Sequence, residues 1–208
     1  MKRFMIDIET TGTRLGTDSI LQVGILEMNR DKRNLYEAGR SAEWTLYFPG
    51  KPDNEFAIRE MSHVYSRANE AIVTPAEVRR DLLKFLFEIE PRWEHRQMVG
   101  LNLSTFDLPF LHVEEILFPL EHVYDYVSQK DVLKGDYHYR VYDISSALTF
   151  GADCLNVDRD ALNRQIKLDA QTRFEKRNLE GRPHTALYDC FFQLDLLNEL
   201  IRAVGGWD

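Results

Sequence analysis

Close to its start the chain carries a short run, Phe4-Met5-Ile6-Asp7-Ile8, that reads as a buried strand and, with the residue that follows it, sets two acids, Asp7 and Glu9, at strand spacing. Residues two apart on a strand face the same side. Two carboxylates on one face of an otherwise apolar strand repel each other and resist burial. A cation shared between them relieves both costs. The plain alternative is that one of the two is a surface residue at the strand end.

The remaining elements follow from periodicity and punctuation. Thr10-Thr11-Gly12 closes the first strand. Residues 19–28 and 43–48 read as two more strands, the last stopped by Pro49-Gly50, and the short connections predict an antiparallel meander. Residues 51–71 are polar and irregular, with room for a short helix over 58–61. Thr74-Pro75-Ala76-Glu77 combines a cap, a first-turn proline and a capping-box glutamate. Behind it Val78, Leu82, Phe85, Leu86 and Ile89 fall on one helical side. A strand is expected over 98–101, a helix over 108–117, a strand over 139–144 and a small helix over 158–166. The polar, basic stretch 167–183 reads as a loop or frayed helix. The longest helix spans 184–204, with apolar positions from Ala186 to Ile201 and a stop at Gly205-Gly206. A meander followed by alternating helices and strands predicts an α/β fold with a mixed sheet. With 208 residues and no repeat or linker, the expectation is a single domain over 1–208.

Composition narrows the function classes. Hydrophobic residues make up 44% and aromatics 12%, enough for a packed core rather than a disordered chain. The formal net charge of −8 argues against extensive coating of a duplex through its phosphates, which favours a basic surface. It leaves open a nucleic-acid enzyme whose acids gather around metal ions, because those ions then meet the phosphate. Cys154 and Cys190 have no metal-site spacing and read as two reduced thiols. No stretch approaches the ~20 apolar residues of a membrane span, and no signal peptide is recognisable. A soluble, cytoplasmic protein with no membrane partner is the expectation. Neither GxGxxG nor GxxxxGK[ST] occurs, which argues against a nucleotide-binding α/β protein.

Two further acids lie far along the chain. Asp107, within the run from Asn102 to Leu111, stands beside Phe106 at a strand-to-helix junction, where it fits a helix N-cap as well as a metal ligand. His184 and Asp189 open the last helix. Five residues apart, they are separated by ~140° around a helix axis and do not share a face. They converge only if His184 lies in a frayed start and swings inward. Each piece alone is a weak signal. Their order is DxE on a first strand, D before a middle helix, and HxxxxD on a final helix.

In that order the sequence resembles the DEDDh 3′–5′ exonucleases of the ribonuclease-H-like superfamily, the group of polymerase proofreading subunits, RNase T and oligoribonuclease. The matches are Asp7-Ile8-Glu9-Thr10-Thr11-Gly12, then Asn102 with Phe106-Asp107 and Phe110-Leu111, then His184-x-Ala186-x-x-Asp189. The run 141–148 is similar to a further family segment that places Asp143 on a central strand. Asn102 precedes Asp107 by five residues rather than the family's four, a spacing closer to the exonuclease domains of B-family polymerases. Those domains carry Tyr four residues before the last acid, where this chain has Thr185, so the third motif is of the His type.

The resemblance implies a ribonuclease-H-like mixed sheet, three antiparallel strands followed by parallel ones, flanked by helices. It implies hydrolysis of phosphodiester bonds from a nucleic-acid 3′ end, with two Mg²⁺ or Mn²⁺ ions. Asp7, Glu9, Asp107 and Asp189 would hold the metals, Asp7 bridging them, and His184 would act as general base. Thr10, Thr11, Gly12, Asn102, Phe106 and Arg182 would contact substrate, single-stranded DNA slightly ahead of RNA. Arg173, Lys176, Arg177 and Arg182 form a basic group before His184 that fits substrate phosphates or a solvated loop equally. A homodimer and a polymerase-associated state are both compatible with the sequence. The competing class is a non-catalytic or polymerase-associated nucleic-acid-binding subunit on the same fold.

Overall fold

A computed structural model describes residues 1–119, 121–125, 130–138, 140–179 and 183–205. Strands β1 (Lys2–Thr10), β2 (Ile20–Arg30) and β3 (Tyr36–Thr45) form the expected antiparallel meander. Strand β4 (Arg96–Gly100) then joins β1 in parallel, and β7 (Tyr142–Asp143) joins β4 in parallel. The sheet order is β3-β2-β1-β4-β7, so β1 is central. A separate hairpin pairs β5 (Glu121–Asp125) with β6 (Lys130–Lys134).

The period-2 alternation of β1 divides two cores. Phe4, Ile6 and Ile8 pack with Val78, Leu82 and Leu86 of α3 (Pro75–Ile89) and with Leu108 and Leu111 of α4 (Asp107–Val113). Met5 packs on the other face with α5 (Ile144–Leu155), α6 (Arg159–Lys176) and α7 (Ala186–Ala203). Asp7 and Glu9 share the strand parity of Met5, so they point to the α7 side. A third cluster joins Leu21 to α1 (Glu55–Glu60) and α2 (Ser62–Glu70) through Ala57, Met61 and Val64.

The start of α3 is as expected. Thr74 Oγ1 accepts from the Glu77 N–H, and Glu77 Oε2 accepts from the Thr74 N–H, a cap worth about 1 kcal/mol. The ends of α7 also agree within two residues, and Gly205 takes the left-handed conformation (φ +81°) that closes it. Cys154 and Cys190 are both free thiols.

Several boundaries are corrected. Strand β3 begins at Tyr36 rather than 43; as an edge strand it leaves Glu37, Arg40 and Ser41 exposed, so its sequence lacks a hydrophobic face. The irregular stretch 51–71 contains two helices, the first capped by the Asn54 side chain accepting from the Ala57 N–H. The helix expected over 108–117 ends at Val113. The strand expected over 139–144 is only Tyr142–Asp143, at the sheet edge and not in its centre; Tyr139 lies outside the described residues. Asp143 there stops the strand and caps α5, its Oδ1 accepting from the Ser145 N–H. Of the two readings for 167–183, loop or frayed helix, the helical one holds as far as Lys176, on a stripe of one buried residue per turn: Leu162, Ile166, Ala170 and Phe174. Among the described residues no helix is long and apolar enough to cross a membrane.

Candidate metal centre

Asp7 and Glu9 come to the site on the last half of β1, whose register against β2 shifts between Glu9 and Thr10. A bulge of this kind turns a strand end and re-aims its side chains. Asp107 arrives from the opposite core as the first residue of α4, and its Oδ1 accepts the Ile8 N–H at 3.1 Å. That bond ties it to β1 between the two acids. The N-cap of α4 is Phe106, which makes no side-chain cap bond. Capping therefore does not account for Asp107.

The third contribution depends on Gly24. It lies opposite Asp7 in the β1–β2 register, and a Cβ there would come within 2.4–2.6 Å of the Ala186 and Leu187 backbone. Without a side chain at that point, the start of α7 settles directly onto the sheet. Its free amides are met by β2 and β3 side chains: Gln22 Oε1 accepts from the Ala186 N–H at 3.4 Å and Glu43 Oε2 from the Leu187 N–H at 3.2 Å. Asp189 projects from the first turn of this helix. His184 lies two residues before it with φ +58°, a left-handed backbone rare outside glycine. This turn brings the two together despite their 140° helical offset. Ligand atoms of Glu9, His184 and Asp189 all lie within 4.8 Å of one another. The His184 ring also meets Phe56 of α1 edge to face, centroids 5.4 Å apart.

The electrostatics follow from burying four acids together. Asp7 is held well above the usual carboxylate range, first by burial, then by Asp107, Asp189 and Glu9. Glu9 is pushed up to about 9 by burial and by Asp189, to which it also hydrogen-bonds. Asp107 is raised to about 7 by burial, although it accepts backbone amides. Asp189 is raised by burial, with His184 and the bond to Glu9 pulling the other way. Among the described residues none of the four pairs with an arginine or lysine. Oxygen-rich, anionic and uncompensated, the set suits hard divalent cations such as Mg²⁺ or Mn²⁺.

The residues expected at the substrate are placed unevenly. Thr10 Oγ1 donates to Gly12 O at 2.5 Å, and the Thr11 N–H is taken by Ser19 O at 2.9 Å, so that amide does not face a ligand. The Asp18 carboxylate lies against Gly12, 2.5 Å from where a Cβ would stand. Asn102 is exposed, with φ +57°, and its Oδ1 accepts from Ser145 Oγ at 2.5 Å. Phe106 is partly buried against Phe110, rings 5.1 Å apart, and Phe110 is core. Arg182 lies outside the described residues. Of the basic group before His184, Arg177 grips Asp195 and Arg173 pairs with Glu199. The sequence reading missed Gly24, Gln22, Glu43 and Gln193, which stand in no motif. The one available signal was Gly24 interrupting a strand pattern.

No family model matches the sequence, and no curated protein matches it at a significant level. Solved structures do match. Cell-death related nuclease 4 (CRN-4) superposes with a TM-score of 0.61 at 14% identity, over 99% of this chain and 64% of that one. A full-length 3′-exonuclease gives 0.57 at 13% identity, over 97% and 81%. A zinc-bound complex of E. coli exonuclease I with single-stranded DNA gives 0.58 at 12% identity, over 97% and 40%. The chain thus spans less than half of exonuclease I. Its fold is the one these solved nucleases share. Identities this low carry the architecture, not the activity.

Proposed function

We propose that the protein is a divalent-metal-dependent 3′–5′ exonuclease that hydrolyses phosphodiester bonds and releases nucleoside 5′-monophosphates. The observation that supports this reading is that ligand atoms of Glu9, His184 and Asp189 lie within 4.8 Å of one another, with Asp7 two residues before Glu9 on the same strand and Asp107 bonded to the Ile8 N–H between them, on a fold shared with solved 3′ exonucleases. A scaffold subunit would gain nothing from burying mutually repelling acids.

In this reading Asp7, Glu9, Asp107 and Asp189 would hold two divalent cations, Mg²⁺ or Mn²⁺. When bound, the ions supply positive charge to the phosphate and to the attacking and leaving oxygens. The protein's own groups do the rest. His184, beside Glu9 and Asp189, takes the proton from the attacking water as general base. The edge contact with Phe56 and the left-handed turn at His184 hold the imidazole in place. Thr10 to Gly12, which follow Glu9, and Asn102, in the loop before Asp107, would meet the 3′-terminal nucleotide.

The test is hydrolysis of matched DNA and RNA oligonucleotides labelled at either end. Mononucleotides should leave from the 3′ end only when Mg²⁺ or Mn²⁺ is present, and His184→Ala should slow release by about 10²–10⁴-fold. Internal fragments, or turnover in excess chelator, would overturn the assignment.

A further inference from the structure

Gln193 is buried (5% exposed), one helical turn beyond Asp189 on α7. Its Nε2–H donates to Asp7 Oδ1 at 2.6 Å, and its Oε1 accepts the Leu101 N–H at 2.9 Å. Leu101 follows β4 and opens the loop that delivers Asp107. One side chain therefore joins all three segments that carry the acids. An amide is suited to this because it offers a donor and an acceptor at one end. Packing of α7 does not ask for it: Cys190, Leu194 and Leu197 supply the apolar contacts around it. A buried amide is tolerated only when both its ends are matched, as they are here.

We propose that Gln193 is the positioning residue of the site: it sets the plane of the Asp7 carboxylate and thereby its affinity for divalent cations. The terminal torsion of an aspartate is broad and roughly two-fold. With Oδ1 anchored by a short, charge-assisted bond, Asp7 is presented in one orientation. Because Leu101 holds the other end of the amide, that orientation is locked to the loop before Asp107. Outer-shell partners of this kind orient the groups that bind metal. The proposal rests on the metal-dependent reading above and deepens it.

The experiment is Mn²⁺ titration by calorimetry, with thermal unfolding in chelator as the fold check, on the unmodified protein, Gln193→Met and Gln193→Asn. Methionine keeps the length and loses the donor; asparagine keeps the amide and cannot span both partners. Each folded variant should bind Mn²⁺ about 10–100-fold more weakly. The Mg²⁺ concentration for half-maximal hydrolysis should rise by a similar factor, while the rate at saturating Mg²⁺ recovers. Should the methionine variant unfold, the asparagine variant carries the same expectation. Unchanged Mn²⁺ affinity in a folded variant, or a lost rate that no Mg²⁺ concentration restores, would overturn the proposal. An unmodified protein that binds no Mn²⁺ would instead remove the metal-dependent reading itself, and this one with it.

Discussion

Helix α7 carries acids into the protein along two stretches, a half-buried Asp189 at its start and buried Asp195 and Glu199 in its second half, and treats them in opposite ways. In its second half Asp195 receives Arg177 Nε and Nη2, each at 2.6 Å, and Glu199 pairs with Arg173 and Arg202. Between them Asn198 clamps Tyr36, accepting its N–H and donating to its carbonyl. At the start of the same helix Asp189 joins Asp7, Glu9 and Asp107, and among the described residues no guanidinium or ammonium pairs with them. Burial alone does not explain the difference: Asp195 is 3% exposed and Glu199 7%, against 3% for Asp107 and 9% for Glu9, with Asp7 and Asp189 half-buried. Compensation does. A buried acid with its cation built in is part of the scaffold, whereas buried acids without one store repulsion until a cation arrives.

Substitutions that remove one acid from each group should therefore act with opposite signs. Asp7→Asn should lower hydrolysis on the order of 10²–10³-fold, yet its melting temperature in chelator at about pH 8 should rise, because a repelling charge is gone. A melting temperature that falls instead would mean that the four acids are not in conflict. Asp195→Ala should do the reverse. It leaves the Arg177 guanidinium without its partner, at a cost of about 3 kcal/mol. The transition should fall by roughly 6–12 °C, while hydrolysis by the folded protein stays near that of the unmodified chain. Loss of turnover without loss of stability would place Asp195 in the chemistry.

The smallest effect is the pH dependence of the metal-free protein. Glu9 is pushed up to about 9 and Asp107 to about 7. Above the ordinary carboxylate range the folded state keeps protons that the unfolded chain has released. Unfolding therefore sheds protons, and stability falls as pH rises. Melting in chelator should decline from about pH 5 to about pH 9, and saturating Mn²⁺ should flatten the curve by replacing the protons with metal charge. A curve that is level without metal would break the contrast between the two groups of acids.

The legible parts were those with a strong local signature. The Thr74 capping box, the meander and the long final helix are each written in a few adjacent residues. Local reading failed where tertiary context outweighed propensity. Half of β3 is polar because an edge strand needs only one covered side. The second half of helix α6 was ambiguous because its buried stripe, Leu162, Ile166, Ala170 and Phe174, is narrow and packs on α5 and α7 along one line. Asp143 ended a strand and began a helix within one residue. The basic group before His184 read equally as a phosphate site or a solvated loop, because the acidic partners of Arg177 and Arg173, 18 and 26 positions later, are invisible locally.

The sequence by itself determined the parity of Asp7 and Glu9 on one strand face, the order of the acidic motifs and the mixed α/β layout. These are properties of spacing along a chain, and spacing survives folding unchanged. Only the tertiary structure decided that the acids meet. It took the missing side chain of Gly24 to let α7 reach the sheet, a left-handed turn at His184 to undo a helical offset, and Gln193 to tie three segments together. Such contacts join residues up to 186 positions apart, and no local pattern encodes them, because each is a fit between surfaces that exists only once both have formed.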